Sequence, residues 1–523
     1  SLRLIVLSWL ARLQPMEAHL GYRKPTDVWD EATAEALGLN EIRNALVHRT
    51  RTEMGEALAR SQSPAVDVEV ALQWRDETTE MRTCLARDGG IPLGPVKPVE
   101  AYLQRAAKRA ALPVEGLLAV ASLLRCSWQI QRYLEHHRAE CPLLSVHGAE
   151  IPALQFLFEE LYGALDPEDG IRDDASEVLS ALRAKQRGMQ KRIRGKIESM
   201  RASGRIQQHL QDDYVTIRDE RFVLPVQSGH KVDVPGIIHG SSQTGQTLYV
   251  EPQEVVQLNN ELKILAKDIS EEEHRILLVL TSAVESEQES VRVSARKLAA
   301  LDWICARAQL AEDLDAQPTT LTASRQVRLV NARNPHLSLR GVSVVPNDIG
   351  LEANVRCLVV SGPNAGGKTV TLNTLGVCCA MAALGCHLPV DADSIVPILP
   401  RIHAVMGDHQ SLADDLSTFS GHLHRIINVL SALPPDRPAL VLVDEIAVGT
   451  EAMQGAALAV AILEAFTERG AMIVVTTHYE RLKLLAQADE RYRNAAVGLD
   501  PDTKAPTFSL VMGDVGASSP LSI

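Results

Sequence analysis

The stretch Gly362-Pro-Asn-Ala-Gly-Gly-Lys-Thr369 matches the pattern G-x-x-x-x-G-K-[ST] at every fixed position. Its glycines allow the backbone to fold around phosphate oxygens, with the amide N–H groups pointing inward. Lys368 can reach the β- and γ-phosphates of a nucleoside triphosphate, and the Thr369 hydroxyl can bind Mg²⁺. The sequence therefore predicts a phosphate-binding loop (P-loop), with nucleotide contacts from Gly362, Pro363, Asn364, Ala365, Gly366, Gly367, Lys368, Thr369 and Val370.

The residues on either side predict the strand–loop–helix unit that this motif requires. Residues 356–361 form an apolar run that predicts a buried strand leading into the loop. Residues 369–384 predict a helix, whose N-terminus carries a partial positive charge that favours phosphate. The alternative is a glycine-rich turn with an incidental lysine, and this context disfavours it.

From about residue 325 the pattern alternates between strands and helices, as a mostly parallel sheet demands. Residues 439–443 and 471–476 are apolar runs typical of central parallel strands. Acidic residues follow the first run and a histidine follows the second. Open α/β sheets bind ligands at the carboxyl ends of their strands. We therefore expect these side chains to lie in the active site.

The acidic pair Asp444-Glu445 supplies the two carboxylates that phosphate hydrolysis needs. We predict that Asp444 binds Mg²⁺ together with Thr369, and that Glu445 is the general base for the attacking water. A strand cap is the alternative for this pair, disfavoured by the P-loop upstream. His478 is predicted to sense the γ-phosphate, with a structural histidine as an equal alternative.

Composition limits the class of protein. A chain of 523 residues predicts three or more domains, and 46% hydrophobic with 23% charged residues is typical of a globular protein. The net charge of −13 argues against a generally basic nucleic-acid coat protein but permits a local basic surface. Aromatic residues make up only 4%, which argues against a stacking platform for single strands.

The eight cysteines include no C-x-x-C pair, and we interpret them as core thiols of a cytoplasmic protein. His136, His137, Cys141 and His147 lie close together in sequence, but their spacing fits no zinc pattern. The sequence contains no run of 18 apolar residues, so no membrane span is expected.

Helical periodicity dominates the first part of the chain, with predicted helices at residues 41–59, 66–87, 98–111 and 114–138. A helical, basic segment follows, and then short predicted strands at residues 222–228, 234–239 and 247–251. Residues 253–317 contain neither Gly nor Pro, which predicts a long helix, a bend and a shorter helix. These segments predict an antiparallel helical arm with a small β tip.

Residues 183–205 contain nine Lys or Arg residues and one acidic residue. Such a run is equally compatible with contact with a polyanion and with a solvated coiled-coil face. The candidate nucleic-acid-binding residues are Arg183, Lys185, Arg187, Lys191, Arg192, Arg194 and Lys196.

The assembled motifs resemble the MutS ATPases, a branch of the ABC-type P-loop proteins. The resemblance rests on the P-loop, the Asp444-Glu445 pair, residues 417–422 (Ser-Thr-Phe-Ser-Gly-His) and residues 476–479 (Thr-Thr-His-Tyr). Residues 222–226, 234–239 and 251–261 resemble more narrowly the second branch, MutS-II. The resemblance covers roughly residues 34–520.

This resemblance implies a multidomain α + α/β fold. Residues 1–33 are unassigned, and residues 34–170 are expected to form a helical core and lever. Residues 171–320 are expected to form long helical clamp arms, with a β tip at 213–252. Residues 321–523 are expected to form an ABC-type P-loop ATPase domain.

The resemblance also implies a homodimer with two composite ATP and Mg²⁺ sites. Ser417 and Thr418 would open a helix that reaches the partner's γ-phosphate, and Gln410 would link ATP occupancy to the arms. The arms would close around a polyanion. That partner is either ribosomes and their rRNA, in rescue of collided ribosomes by subunit splitting, or branched double-stranded DNA, in suppression of homologous recombination.

Three departures qualify these expectations. The family usually keeps glycine and a small residue shortly after the glutamate, whereas Ala447-Val448 stand here. Slow turnover would make the protein a nucleotide-gated tether, which is the alternative function. Mismatch recognition is not expected, because the Phe-x-Glu strings lie in helical patterns. The KOW-type and Smr nuclease domains usual in MutS-II would lie beyond Ile523, so nuclease activity is not expected from this chain.

Overall fold

The computed structural model describes residues 28–202, 206–211, 215–230, 232–363, 366–406, 415–433, 438–447, 451–500, 502–503 and 505–513. For residues 415–420 and 452 it describes the backbone alone. The predictions for Asn364, Ala365, Gln410, Val448 and most of the segment 1–33 lie outside the described residues.

The helices, numbered in chain order, are α1 Glu31–Leu37, α2 Leu39–Val47, α3 Glu53–Ser61, α4 Val68–Asp88, α5 Glu100–Ala106, α6 Val114–His136, α7 Pro142–Ala149, α8 Gln155–Ala164, α9 Glu177–Ala202, α10 Val256–Ser286, α11 Gln288–Asp313, α12 Pro335–Leu339, α13 Lys368–Ala383, α14 Asp415–Ala432, α15 Ala452–Glu468 and α16 Glu480–Ala488. The strands are β1 Leu165–Asp166, β2 Gly170–Ile171, β3 Thr216–Arg218, β4 Arg221–Gln227, β5 Gly236–Ser241, β6 Thr247–Pro252, β7 Thr320–Thr322, β8 Val327–Ala332, β9 Asn347–Leu351, β10 Cys357–Ser361, β11 Ile395–Pro397, β12 Ile402–Val405, β13 Leu440–Val443, β14 Met472–Thr477, β15 Tyr492–Leu499 and β16 Pro506–Met512. The protein thus has the multidomain mixture of helices and sheets that was expected.

The described chain forms two compact units, each discontinuous in sequence. The P-loop unit contains residues 28–95, 129–151 and those from 296 onward. The β-tip unit contains residues 96–128 and 152–295. The domain boundaries at residues 170 and 320 stay predictions.

The prediction of one helix over residues 41–59 is wrong, because α2 ends at Val47 and α3 begins at Glu53. The Thr52 side chain caps α3 by accepting from the Gly55 amide at 2.9 Å. Buried Asp302 accepts from the Thr52 amide at 2.8 Å and from the Thr52 hydroxyl at 2.6 Å. A distant carboxylate therefore breaks a segment whose own periodicity favours a helix.

The P-loop unit is built on a six-stranded sheet with the order β12-β13-β14-β10-β15-β16. The first five strands are parallel, and β16 is antiparallel to β15. In this register Ser361 pairs with Thr477, and Val443 pairs with Val475. The carboxyl ends of β10, β13 and β14 therefore meet at one edge, as predicted.

Both faces of this sheet are buried, because alternate residues enter two apolar clusters. Leu358, Val360, Leu442 and Val474 belong to the cluster that includes α13. Cys357, Val359, Val441 and Val475 belong to the cluster on the other face, which includes α15. A second, four-stranded sheet has the order β7-β11-β8-β9.

The β-tip unit contains an antiparallel sheet with the order β3-β4-β6-β5. Its core combines Val226 and Val250 from the sheet with Ile193 and Ile197 from α9 and Leu262 from α10. The predicted strands are confirmed as β4, β5 and β6. β3 was missed because three residues show no period. The predicted bend after the long helix is confirmed at Glu287, between α10 and α11.

All eight cysteines are free and buried, which confirms their interpretation as core thiols. Across the described part of the chain, none of the helices combines the length and the apolar character that crossing a membrane requires.

Candidate active site

The P-loop follows β10 and leads directly into α13, which begins at Lys368. Gly362 and Gly367 have φ angles of 142° and 91°, which L side chains rarely adopt. A Cβ added at Gly362 would lie 3.0 Å from Val497 Cβ, and one added at Gly366 would lie 3.0 Å from Val497 Cγ1. The loop therefore packs so closely on β15 that glycine fits best there.

Lys368 is buried, with 2% of its surface exposed. Its Nζ donates to the Gly362 carbonyl at 2.9 Å and lies 3.1 Å from His478 Nε2. Burial lowers the pKa of Lys368 to about 8, against the opposing attraction of Glu445 and Asp444. A buried ammonium within the loop is suited to bind phosphate oxygens, which would repay its lost hydration.

Asp444 follows β13 and is held by two hydroxyl groups. Thr369 Oγ1 donates to Asp444 Oδ2 at 2.7 Å, and Thr476 Oγ1 donates to Asp444 Oδ1. The predicted metal ligands Thr369 and Asp444 are thus brought together. Hydroxyl and carboxylate oxygens are the ligand type that Mg²⁺ prefers, so these residues fit the ion.

Glu445 has a φ angle of 51°, in the left-handed region that a non-glycine residue rarely adopts. Its amide donates to Thr476 Oγ1 at 2.7 Å, and its Oε1 lies 3.5 Å from His478 Nε2. The predicted catalytic residues Glu445, Lys368 and His478 therefore lie side by side. Strained backbone at such a position is consistent with a functional role.

Thr476 contacts both acidic residues, but the sequence analysis named it only within the segment 476–479 and gave it no role. It is completely buried, and its hydroxyl accepts from the Glu445 amide while donating to Asp444. The signal was its place at the end of β14, one strand away from the acidic pair.

Ala447, part of the Ala447-Val448 departure noted in the sequence, also has a positive φ angle, 60°. Its carbonyl accepts from the Tyr479 hydroxyl at 2.7 Å. Tyr479 in turn lies so close to Gly455 that an added Cβ would be 2.3 Å from the hydroxyl oxygen. The segment after the acidic pair is therefore tied to the end of β14 and to α15.

A cavity of about 420 Å³ opens beside the P-loop. Gly367, Thr369 and Val370 line one side, and Val345, Asn347 and Phe508 line another. The Asn347 side chain donates to the Phe508 carbonyl at 2.9 Å, which fixes β9 to β16. The volume and the largely apolar lining suit a nucleoside. The sequence analysis did not identify Val345, Asn347 or Phe508 as site residues.

α14 contains Ser417 and Thr418, whose side chains lie outside the described residues. One turn further on, burial together with Arg425 lowers the pKa of His422, while the charges of Asp444 and Glu445 act in the opposite direction. His422 therefore lies near the acidic pair and is a further candidate, which the sequence analysis named only as the last residue of the segment 417–422.

The candidate basic surface lies on α9 in the β-tip unit. Arg183 pairs with Asp173 at 2.6 Å and with Glu273 at 2.7 Å, and Arg187 pairs with Asp173 at 2.7 Å. Lys196 pairs with Glu254 at 3.1 Å. The exposed candidates also include Lys185, Lys191, Arg192 and Arg194. Part of the basic charge is thus neutralised locally, and the role of this surface stays a prediction.

Comparison with known proteins bears on this site directly. The family model of MutS domain V matches residues 358–519, which include the P-loop, the acidic pair and His478. The chain is 37% identical to Endonuclease MutS2 of Symbiobacterium thermophilum over 494 residues, covering 94% of this chain and 61% of that protein.

The chain belongs to the MutS2 family. Proteins of the same printed name from an Anaeromyxobacter species and from Bacillus cytotoxicus are 38% and 36% identical, over 94% of this chain. The chain spans 62% and 63% of the length of these two MutS2 relatives. The resemblance to the second MutS branch is therefore confirmed.

Proposed function

We propose that this chain binds and hydrolyses ATP in a Mg²⁺-dependent reaction. The observation that carries the proposal is the single network joining the P-loop to the acidic pair. Thr369 Oγ1 donates to Asp444, Thr476 joins Asp444 to the Glu445 amide, and His478 lies beside both Lys368 and Glu445. Phosphoryl transfer requires these groups at one place.

Each residue has a role that follows from its position. The ammonium of Lys368 and the first amides of α13 would hold the phosphates, and Glu445 would accept the proton of the attacking water. Asp444 and Thr369 would hold Mg²⁺, which neutralises charge on the phosphates when bound. His478 would orient the carboxylate of Glu445. Val345, Asn347 and Phe508 would contact the nucleoside.

ATPase rates of the wild type, Glu445→Gln and Lys368→Ala test this proposal. We expect Glu445→Gln to lower the rate at least about 100-fold while preserving ATP binding, because the base alone is lost. Lys368→Ala should weaken ATP binding itself. Equal steady-state rates in the wild type and Glu445→Gln would remove the enzymatic function and leave the nucleotide-gated tether, which the sequence departure at Ala447-Val448 motivates.

We also propose that ATP closes two copies of the chain into a clamp with an ABC-type arrangement of the two P-loop domains. α14 would present its N-terminus, with Ser417 and Thr418, to the partner's γ-phosphate. This proposal is supported by the parallel sheet, which has the P-loop at the carboxyl end of its strand β10. Light scattering with a non-hydrolysable ATP analogue tests this, with Lys368→Ala as the control. A mass that does not change with the analogue would contradict it.

The proposed partner is a cytoplasmic polyanion, either ribosomes and their rRNA or branched DNA. The exposed basic residues of α9 support it, since Lys191 and Arg192 face solvent. Co-sedimentation with ribosomes and with branched DNA, each with and without the ATP analogue, separates the two partners.

A double charge reversal, Lys191→Glu with Arg192→Glu, should weaken binding and reduce its salt dependence. The matched control reverses Lys263 and Lys267, exposed lysines on α10. Equal losses in both double variants would show that net charge, rather than the α9 surface, is responsible.

A further inference from the structure

Two histidines and an aspartate converge at one place in the β-tip unit. One ligand atom from each of His209, His230 and Asp233 lies within 4.8 Å of the other two. His230 Nδ1 lies 2.9 Å from Asp233 Oδ2, and His209 Nδ1 lies 3.8 Å from the same oxygen. Tetrahedral zinc with bonds of about 2.0–2.1 Å separates its ligand atoms by about 3.3 Å. The two measured distances lie on either side of that value.

The backbone that carries these side chains is anchored. Leu210, next to His209, is buried and bridges to β4. The Asp233 amide donates to the His230 carbonyl at 3.1 Å, which closes a turn between the two ligands. Val234, next to Asp233, is 1% exposed and belongs, like Leu210, to the apolar core of the β-tip unit. The arrangement therefore derives from the fold and does not need an ion to assemble it.

One of the ring nitrogens has no hydrogen bond. His209 Nδ1 is buried and has no hydrogen-bond partner among the described residues, although it faces the carboxylate. Buried polar atoms are normally satisfied, and a bound cation would satisfy this one. The other nitrogen, His209 Nε2, lies 3.3 Å from the Gln208 side-chain amide. Turning that amide would provide the acceptor that a metal-bound histidine requires on its second nitrogen.

The ligand set indicates which ion would bind. Imidazole nitrogens suit transition metals, whereas Mg²⁺ and Ca²⁺ prefer oxygen ligands throughout. Three protein ligands leave one coordination position for water. The His230 and Asp233 side chains are 44% and 49% exposed, so an ion can enter from solvent. We propose that His209, His230 and Asp233 form a site for one transition-metal ion, of which Zn²⁺ fits best.

The sequence gives no spacing signal for this site, since His209 and His230 lie 21 residues apart, each at the end of a 3-10 turn. The segment from His136 to His147, which was considered for zinc, is arranged differently. His147 Nε2 lies 3.1 Å from Glu77 Oε1 instead.

The test titrates the purified whole chain with Zn²⁺ after treatment with a chelator, without nucleotide, against a competing chromogenic chelator. We expect one equivalent of Zn²⁺ to bind, and His230→Ala or Asp233→Asn to lower the affinity at least about tenfold. His274→Ala, at an exposed histidine on α10, is the matched control and should bind Zn²⁺ like the wild type. Circular dichroism establishes that all variants are folded.

Co²⁺ serves as a spectroscopic probe, because tetrahedral coordination gives it intense visible absorption. The wild type and His274→Ala should show this absorption, and His230→Ala should lose it. Asp444→Asn separates the site from the P-loop and should leave Zn²⁺ affinity unchanged. The proposal is overturned if no equivalent of Zn²⁺ binds, if His230→Ala and Asp233→Asn bind like the wild type, or if Asp444→Asn abolishes binding.

Discussion

Replacing Thr476 by valine removes one hydroxyl group and keeps the shape of the side chain. This hydroxyl donates to Asp444 and accepts from the Glu445 amide at 2.7 Å, and the residue is completely buried. Water therefore cannot easily replace either hydrogen bond. The change tests whether Thr476 positions both acidic residues.

The magnitude follows from the two bonds. A hydrogen bond to a charged acceptor contributes about 1.5–3 kcal/mol, and leaving a buried N–H without a partner costs about 1–3 kcal/mol. The two contributions together predict that Thr476→Val lowers the free energy of unfolding by about 2.5–6 kcal/mol. Because Asp444 loses a group that orients it, we expect Mg²⁺ affinity in the ATPase reaction to fall about 10- to 100-fold.

The assay measures the thermal midpoint and the Mg²⁺ dependence of the ATPase rate. Thr476→Ser is the control, since it keeps the hydroxyl and loses one methyl group, worth about 1 kcal/mol. Hydrogen exchange of the Glu445 amide provides a local measurement, and we expect protection to be lost only in Thr476→Val. The reasoning is refuted if Thr476→Val and Thr476→Ser have the same midpoint and the same Mg²⁺ dependence.

The remaining predictions concern three other residues. Because the pKa of Lys368 is lowered to about 8, ATP affinity should fall about tenfold between pH 7 and pH 9 as the ammonium is lost, and it should stay constant in Lys368→Arg. A wild-type affinity that is independent of pH would contradict this. Ala447→Gly should raise the free energy of unfolding by up to about 1 kcal/mol, because glycine adopts the φ of 60° without strain. A thermal midpoint of unfolding below that of the wild type would exclude strain at Ala447. Burial lowers the pKa of His387 from 6.5 to about 4, so between these pH values the unfolded state binds a proton that the folded state does not. The free energy of unfolding should therefore decrease by about 2–4 kcal/mol as the pH falls through this window, and less in His387→Gln, as urea titrations at pH 7 and pH 4 can measure.

The P-loop and its flanking elements were predictable because motif and periodicity coincide there. Each fixed position of the loop has a chemical reason. The strands β10, β13 and β14 are short apolar runs, as is typical of a parallel sheet buried on both faces. The convergence of Asp444 and His478 followed from the rule that parallel strands bind ligands at their carboxyl ends.

What the sequence did not predict depends on contacts between distant segments. Asn347 contacts Phe508 across 161 residues of sequence, so no local pattern indicates the cavity between β9 and β16. The break between α2 and α3 depends on Asp302 in the same way. The role of Thr476 was not predicted for another reason, since a hydroxyl at the end of a strand is common and its partners, Asp444 and Glu445, follow a neighbouring strand.

The discontinuity of the P-loop unit has a consequence for how the protein is made. Thr52 and its partner Asp302 are 250 residues apart in the chain. At about 5–20 residues per second, translation needs about 12–50 s to connect them. During that interval the first helices expose apolar side chains for which the chain has not yet supplied the covering surface. Newly synthesised N-terminal segments should therefore be substrates for chaperones, and folding of this unit should be completed late in synthesis.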